Sequence, residues 1–184
     1  TTGQVVQFVV GTLKAPDTRA PPQNLSLAPI APLVPTATRQ VSLNEGESEV
    51  VCVEEVNGDL VQVFGSAPPE CEGGGFPFGP TIAQLGTLAG DGSGIALRWA
   101  NGITENPALG ATELWEIHNF TADAHPIHLH LVNFQVADRE PFGGAPYPPE
   151  PWETGYKDTV IAYPGEITRI RATFDIPGLY VWHC

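Results

Sequence analysis

The 184-residue sequence contains no methionine, three cysteines, five histidines and only eight lysine and arginine residues. Each scarcity excludes something. Against 21 acidic residues the eight basic ones leave a formal net charge of -13, which argues against nucleic acid and against an anionic membrane surface as partners. No apolar run approaches the roughly 18 residues needed to span a bilayer. The opening residues "TTGQVVQFVV" lack a positively charged start and a cleavage site, so they do not read as a signal peptide. Since methionine is missing even at position 1, we expect a chain that was processed, trimmed or drawn from the middle of a longer product.

Charged residues make up only 16% of the chain, while glycine and proline are plentiful at 20 and 19. That balance favours short strands joined by turns over long helices. Residues 1–38 read as the end of a preceding unit followed by a connector. "QVVQFVVG" alternates like a strand, and "APDTRAPPQNLSLAPIAPLVPTAT" carries prolines that forbid a helix interior or a central strand. From Arg39 onward, short β-branched runs follow one another. "RQVSLNEG" and "SEVVCVEEV", then an "NGD" turn and "LVQVFG", describe a hairpin. "IALRWANG", "TELWEIHNF", "HPIHLHLVNFQVADRE", "DTVIAYPGEITRIRATF" and "GLYVWHC" complete seven or more strands. The predicted fold is an all-β, two-sheet Greek-key sandwich over 39–184. Between Gln40 and Leu97 there is no Lys or Arg, and the carboxylates there read as a solvated face. The loop "REPFGGAPYPPEPWETGY" reads as ordered because of its aromatics.

The three cysteines divide unevenly. Cys52 and Cys71 flank a Gly/Pro-rich loop, and we expect them to bridge, as suits an exported protein; two free thiols are the alternative. Cys184 is left over, directly after His183. An odd thiol beside a histidine is a candidate ligand or nucleophile.

In "HPIHLH", His125, His128 and His130 fall within six residues. Strand side chains two apart share a face, so His128 and His130 point the same way and suit one metal ion or two neighbouring ones. Pro126 allows a bend that would aim His125 at a different centre. In "WHC", successive residues alternate faces, so His183 and Cys184 would serve two sites on either side of one strand. Thiolate with imidazole selects copper, and two histidines with a cysteine and a weak axial group make a blue-copper site. His118 reads as a structural or surface histidine. Asp158 is a candidate to orient a ligand imidazole, or a plain turn residue. Trp182 and Tyr180 are expected in the sheet and core beside the copper strand.

"HPIHLHLVNFQV", "GYKDTVIAYPGE" and "ATFDIPGLYVWHC" together resemble the C-terminal cupredoxin domain of multicopper oxidases, in the spore-coat laccase and bilirubin oxidase branch. The similarity spans residues 39–184. It implies type 1 copper ligation by His125 and Cys184, type 2 by His128, and type 3 by His130 and His183. It also implies electron transfer from a small-molecule or metal-ion donor to O2, with His183 and Cys184 as the path. Phenols, bilirubin-like pigments, aminophenols, Cu(I) and Mn(II) are all compatible donors. The family's further ligands have no counterpart here, so the 184 residues alone are expected to be inactive without the enzyme's remaining domains. A secreted, periplasmic or cell-surface location is expected. Two other readings are a small blue-copper electron-transfer protein, which would not need His128 and His130, and a mononuclear cupin-like metal enzyme, which would not explain Cys184.

Overall fold

A computed structural model describes residues 9–184 apart from positions 13, 27, 48 and 80. The strand expected over 4–11 lies largely outside the described residues. The chain forms two compact units, Thr1–Ala31 and Pro32–Cys184. In the first, the described residues carry one 3-10 turn, Pro22–Asn24, and an exposed Arg19–Asp17 ion pair. The proline content accounts for the lack of a described helix or strand there.

The second unit is almost entirely β. Its strands are β1 (Ala37–Glu47), β2 (Val51–Val56), β3 (Asp59–Gln62), β4 (Phe76–Phe78), β5 (Thr81–Leu88), β6 (Gly94–Ala96) and β7 (Thr112–Asn119). They continue with β8 (His125–Leu129), β9 (Phe134–Pro141), β10 (Tyr156–Lys157), β11 (Thr159–Ala162), β12 (Glu166–Thr173) and β13 (Trp182–His183). A seven-stranded sheet has the order β10-β9-β12-β7-β1-β5-β6, a three-stranded sheet the order β11-β8-β13, and a second three-stranded sheet the order β3-β2-β4. This is the all-β Greek-key sandwich predicted from the strand pattern and of the cupredoxin-like kind the resemblance implied, with a third, small sheet beyond the two predicted and three departures in detail. β1 begins at Ala37, two residues before the predicted boundary. "IALRWANG" is a strand only over Gly94–Ala96, after which the chain turns at Arg98–Asn101. Tyr180 is 40% exposed and precedes β13, its hydroxyl donating to the Pro177 carbonyl, so it belongs to neither sheet nor core.

Period-two alternation builds the core. Along β7 every second residue from Glu113 to Asn119 is buried, and Trp115 and Ile117 join Val41, Leu43, Phe134, Val136, Ile170 and Ala172 on one layer. Ile127, Leu129, Val160 and Ala162 of the β11-β8-β13 sheet supply the other. Each such aliphatic side chain contributes about 1.5–3 kcal/mol on burial. The ligand-type residues predicted from sequence therefore ride on the smaller layer of a packed sandwich.

The β3-β2-β4 sheet pairs with neither of the others. Cys52 and Cys71 are bridged there, with Cα atoms 5.6 Å apart. The hairpin predicted from "NGD" is the β2–β3 turn, with Asn57 and Gly58 both at positive φ.

Candidate metal centre

β8 lies between β11 and β13, with His183 opposite His128 and Trp182 opposite Leu129. Parity decides where each side chain goes. His125, Ile127 and Leu129 share one face of β8, and Ile127 and Leu129 point into the core. His128 lies on the other face, beside His183. The bend allowed at Pro126 is not what separates His125 from His128: β8 runs through Pro126 in register with Ile161, and the odd spacing of 125 and 128 already places them on opposite faces. Proline is accommodated because β13 pairs only with His128 and Leu129.

Two groupings result. On one side the Cys184 sulfur lies 3.6 Å from His125 Nδ1. This pair opens on a recess whose walls include Leu43, Asn44, Gln84 and Leu85, and His183 borders it as well. On the other side the rings of His128, His130 and His183 form a triangle with centroid separations of 4.9, 5.1 and 5.5 Å. The Nε2 atoms of His130 and His183 are 3.0 Å apart. The five residues singled out in the sequence are thus gathered as 125 with 184, and 128 with 130 and 183. Among the described residues, no three His, Cys, Asp or Glu side chains enclose a single ion. The donors stand as partial sets: a thiol with an imidazole, which suits copper, and three clustered imidazoles, which suit copper or zinc.

The groups behind the rings were only partly foreseen. His128 Nδ1 lies 2.8 Å from the Asp158 carbonyl oxygen and 3.0 Å from Thr159 Oγ1. A carbonyl only accepts, so Nδ1 carries the proton and Nε2 keeps a lone pair for a metal. The Asp158 carboxylate is 4.0 Å away. Asp158 therefore orients the ring through its backbone, while its side chain accepts from Thr159. His125 Nε2 lies 2.8 Å from Thr121 Oγ1, which in turn meets the buried Asn119 amide. Neither Thr121 nor Asn119 stood out in the sequence; a short polar run closing a strand reads as a turn, and the sole hint was its position just before the histidine.

His118, read from the sequence as a structural or surface histidine, is half-buried on β7. It stacks against Phe120 and Phe142, and burial pushes its imidazole below the ordinary value although Glu116 pulls the other way. Trp182 is half-buried and meets Trp115 edge to face, with centroids 5.8 Å apart, so the strand carrying His183 is anchored in the core.

Comparison with known proteins matches the same stretch. The sequence profile of the multicopper oxidase family matches residues 81–184. A laccase from Bacillus subtilis (strain 168) is 50% identical over 101 residues, covering 47% of this chain and 20% of the laccase. A bilirubin oxidase from Albifimbria verrucaria is 36% identical over 86 residues, covering 46% of this chain and 15% of that enzyme. The chain thus spans about a fifth or less of the length of these curated relatives. Among solved structures, a multicopper oxidase from Campylobacter jejuni, described as a metallo-oxidase, superposes with a TM-score of 0.53 at 20% identity, over 89% of this chain and 29% of that one. At that identity the likeness speaks for the fold alone.

Proposed function

The chain belongs to the multicopper oxidase family, and from that membership we propose that it supplies one ligand-bearing portion of a laccase-like copper oxidase. The donor would be a small molecule or metal ion, and the acceptor O2. Copper bound here would supply one-electron chemistry, taking electrons singly from the donor and reducing O2 to water. His125 and Cys184 would hold the type 1 ion, His128 the type 2 ion, and His130 and His183 would contribute to the type 3 pair.

The observation that carries this reading is the split of adjacent residues. Cys184 meets His125 and His183 meets His128 and His130. Their Cα atoms, about 3.8 Å apart across one peptide bond, give the two groupings direct covalent continuity. His125 and Cys184 line a recess against β1 and β5, which His183 also borders, while the backbone of β11 turns His128 toward the cluster. Since the sequence has only five histidines, the rest of the ligand set would come from the enzyme's other segments, and the chain alone would not turn over. An exported location would suit the Cys52–Cys71 bridge.

The test uses the intact copper-loaded protein with a generic one-electron donor. It should be blue and consume one O2 for about every four electrons delivered, a ratio set by reduction to water. A blue protein that passes electrons but consumes no O2 would support the electron-transfer reading in its place.

A further inference from the structure

We propose that Thr121, itself held by Asn119, is a positioning residue that fixes His125 as the Nε2–H tautomer and turns its Nδ1 lone pair toward the Cys184 sulfur. The inference follows from counting protons. Asn119 is fully buried at the end of β7. Its Nδ2 donates to the carbonyls of Asp123, at 2.8 Å, and Ala162, at 3.0 Å. Its Oδ1 accepts from the Thr121 backbone N–H at 2.9 Å. Carbonyls only accept and a backbone N–H only donates, so the amide has a single orientation.

Thr121 is 5% exposed, and its Oγ1 lies 2.8 Å from Asn119 Oδ1 and 3.0 Å from the Asp123 carbonyl. Both neighbours are acceptors, and a hydroxyl has one proton, which these two share. Of its two lone pairs, one accepts from the Asp123 backbone N–H at 3.3 Å and the other faces His125 Nε2 at 2.8 Å. Nε2 must therefore be the donor. A neutral imidazole has one N–H, so the proton is absent from Nδ1, the atom 3.6 Å from Cys184 Sγ. Ala162, whose carbonyl Asn119 engages, is also the residue paired with His125 across β11 and β8. Asn119 thereby ties together both supports of the ring. The tautomer is the reverse of that three residues on, where the Asp158 carbonyl fixes the proton of His128 on Nδ1. One six-residue motif thus presents two imidazoles through different nitrogens.

The tautomer stands on hydrogen bonds alone; its consequence for copper rests on the reading of His125 and Cys184 as a ligand pair. Copper-free intact protein with 15N-labelled histidine should show the His125 ring proton on Nε2 and protected from exchange. Thr121→Val should abolish that protection and weaken copper binding at the thiol site ten- to a hundredfold, the usual range for a residue behind a ligand. Thr121→Ser should restore both. A wild-type proton on Nδ1 would overturn the proposal even if the valine variant failed to fold, as would a folded valine variant with protection and affinity unchanged. A wild-type protein with the Nε2 proton in place but no blue copper would leave the tautomer standing and sink the functional reading.

Discussion

The described residues form two three-stranded sheets of similar size, and they are held by different means. The β11-β8-β13 sheet has no disulfide; four of its residues, Ile127, Leu129, Val160 and Ala162, sit in the core, and Trp182 packs against it. The β3-β2-β4 sheet places none of its residues in that core. Its buried apolar residues are Cys52 and Val53, with Cys71 of the β3–β4 loop bridged to Cys52, while Val56, Leu60, Val61, Phe76 and Phe78 are exposed. A sheet with so little burial needs a staple, and the disulfide is one. The match to the multicopper oxidase family begins at residue 81, after the stapled sheet ends at Phe78. The candidate ligands and most of the core thus lie within the match, Val41 and Leu43 of β1 preceding it, while the disulfide lies outside it.

The largest expected effect breaks the ligand sheet's chemistry without touching its packing. Serine differs from cysteine by a single atom, so Cys184→Ser in the intact protein should leave the fold in place while abolishing blue absorption and donor oxidation together. Absorption spectra and oxygen uptake check this. A serine variant oxidising donors at the parent rate would remove Cys184 from the electron path.

Much of this contrast was legible in the sequence, because it rests on the two-residue period. Parity alone put His128 and His130 together and His183 and Cys184 apart. The separation of His125 from His128 was read from a bend at Pro126 and its role beside Cys184 was implied by the resemblance, whereas the structure gives the reason as the odd spacing from His128. What stayed hidden depends on contacts between distant segments. Arg139 and Glu153 are separated by a proline-rich loop, yet they form a buried bidentate ion pair. Asp158 orients His128 through a carbonyl, which no residue type announces. Thr121 and Asn119 look like turn residues until the fold brings Ala162 and His125 beside them.

The second expected effect is acid sensitivity of the ligand sheet. Arg139 is fully buried; it pairs with Glu153, lies over the Tyr163 ring, and donates to the Ile161 carbonyl of β11 at 3.0 Å. Burial pushes the Glu153 carboxyl up, but the Arg139 guanidinium and the Glu150 backbone N–H outweigh it and hold the group below the usual carboxylate range. A depressed folded value means that the pair's contribution is complete above the unfolded pKa, about 4.3 for Glu, and is lost as pH falls through the folded value. Glu153→Gln leaves the guanidinium buried without its counter-charge and should cost about 3–5 kcal/mol. Denaturant titrations from pH 7 to 3 should show wild type losing stability below about pH 4.3, with the variant already weak at pH 7 and flatter across that range. A variant as stable as wild type at pH 7 would show that β11 does not depend on the pair.

The smallest expected effect on turnover comes from the stapled sheet, where the disulfide closes a loop between residues 19 apart in sequence. Loop-closure entropy assigns such a bridge about 3 kcal/mol. Because the β3-β2-β4 sheet pairs with neither neighbouring sheet, that loss should fall on the sheet itself. The double variant Cys52→Ser, Cys71→Ser should lose hydrogen-exchange protection over residues 51–78, keep it over 125–129, and retain its blue band and oxidation rate within about twofold, the change expected of a sheet that shares no strand pairing with the ligand sheet. Acid and reductant would then act on different sheets, acid through Glu153 and reductant through Cys52–Cys71. If breaking the bridge instead bleached the protein, the two sheets would be energetically coupled despite sharing no strand pairing. The division between a burial-held ligand sheet and a disulfide-held appendage would then have to be abandoned.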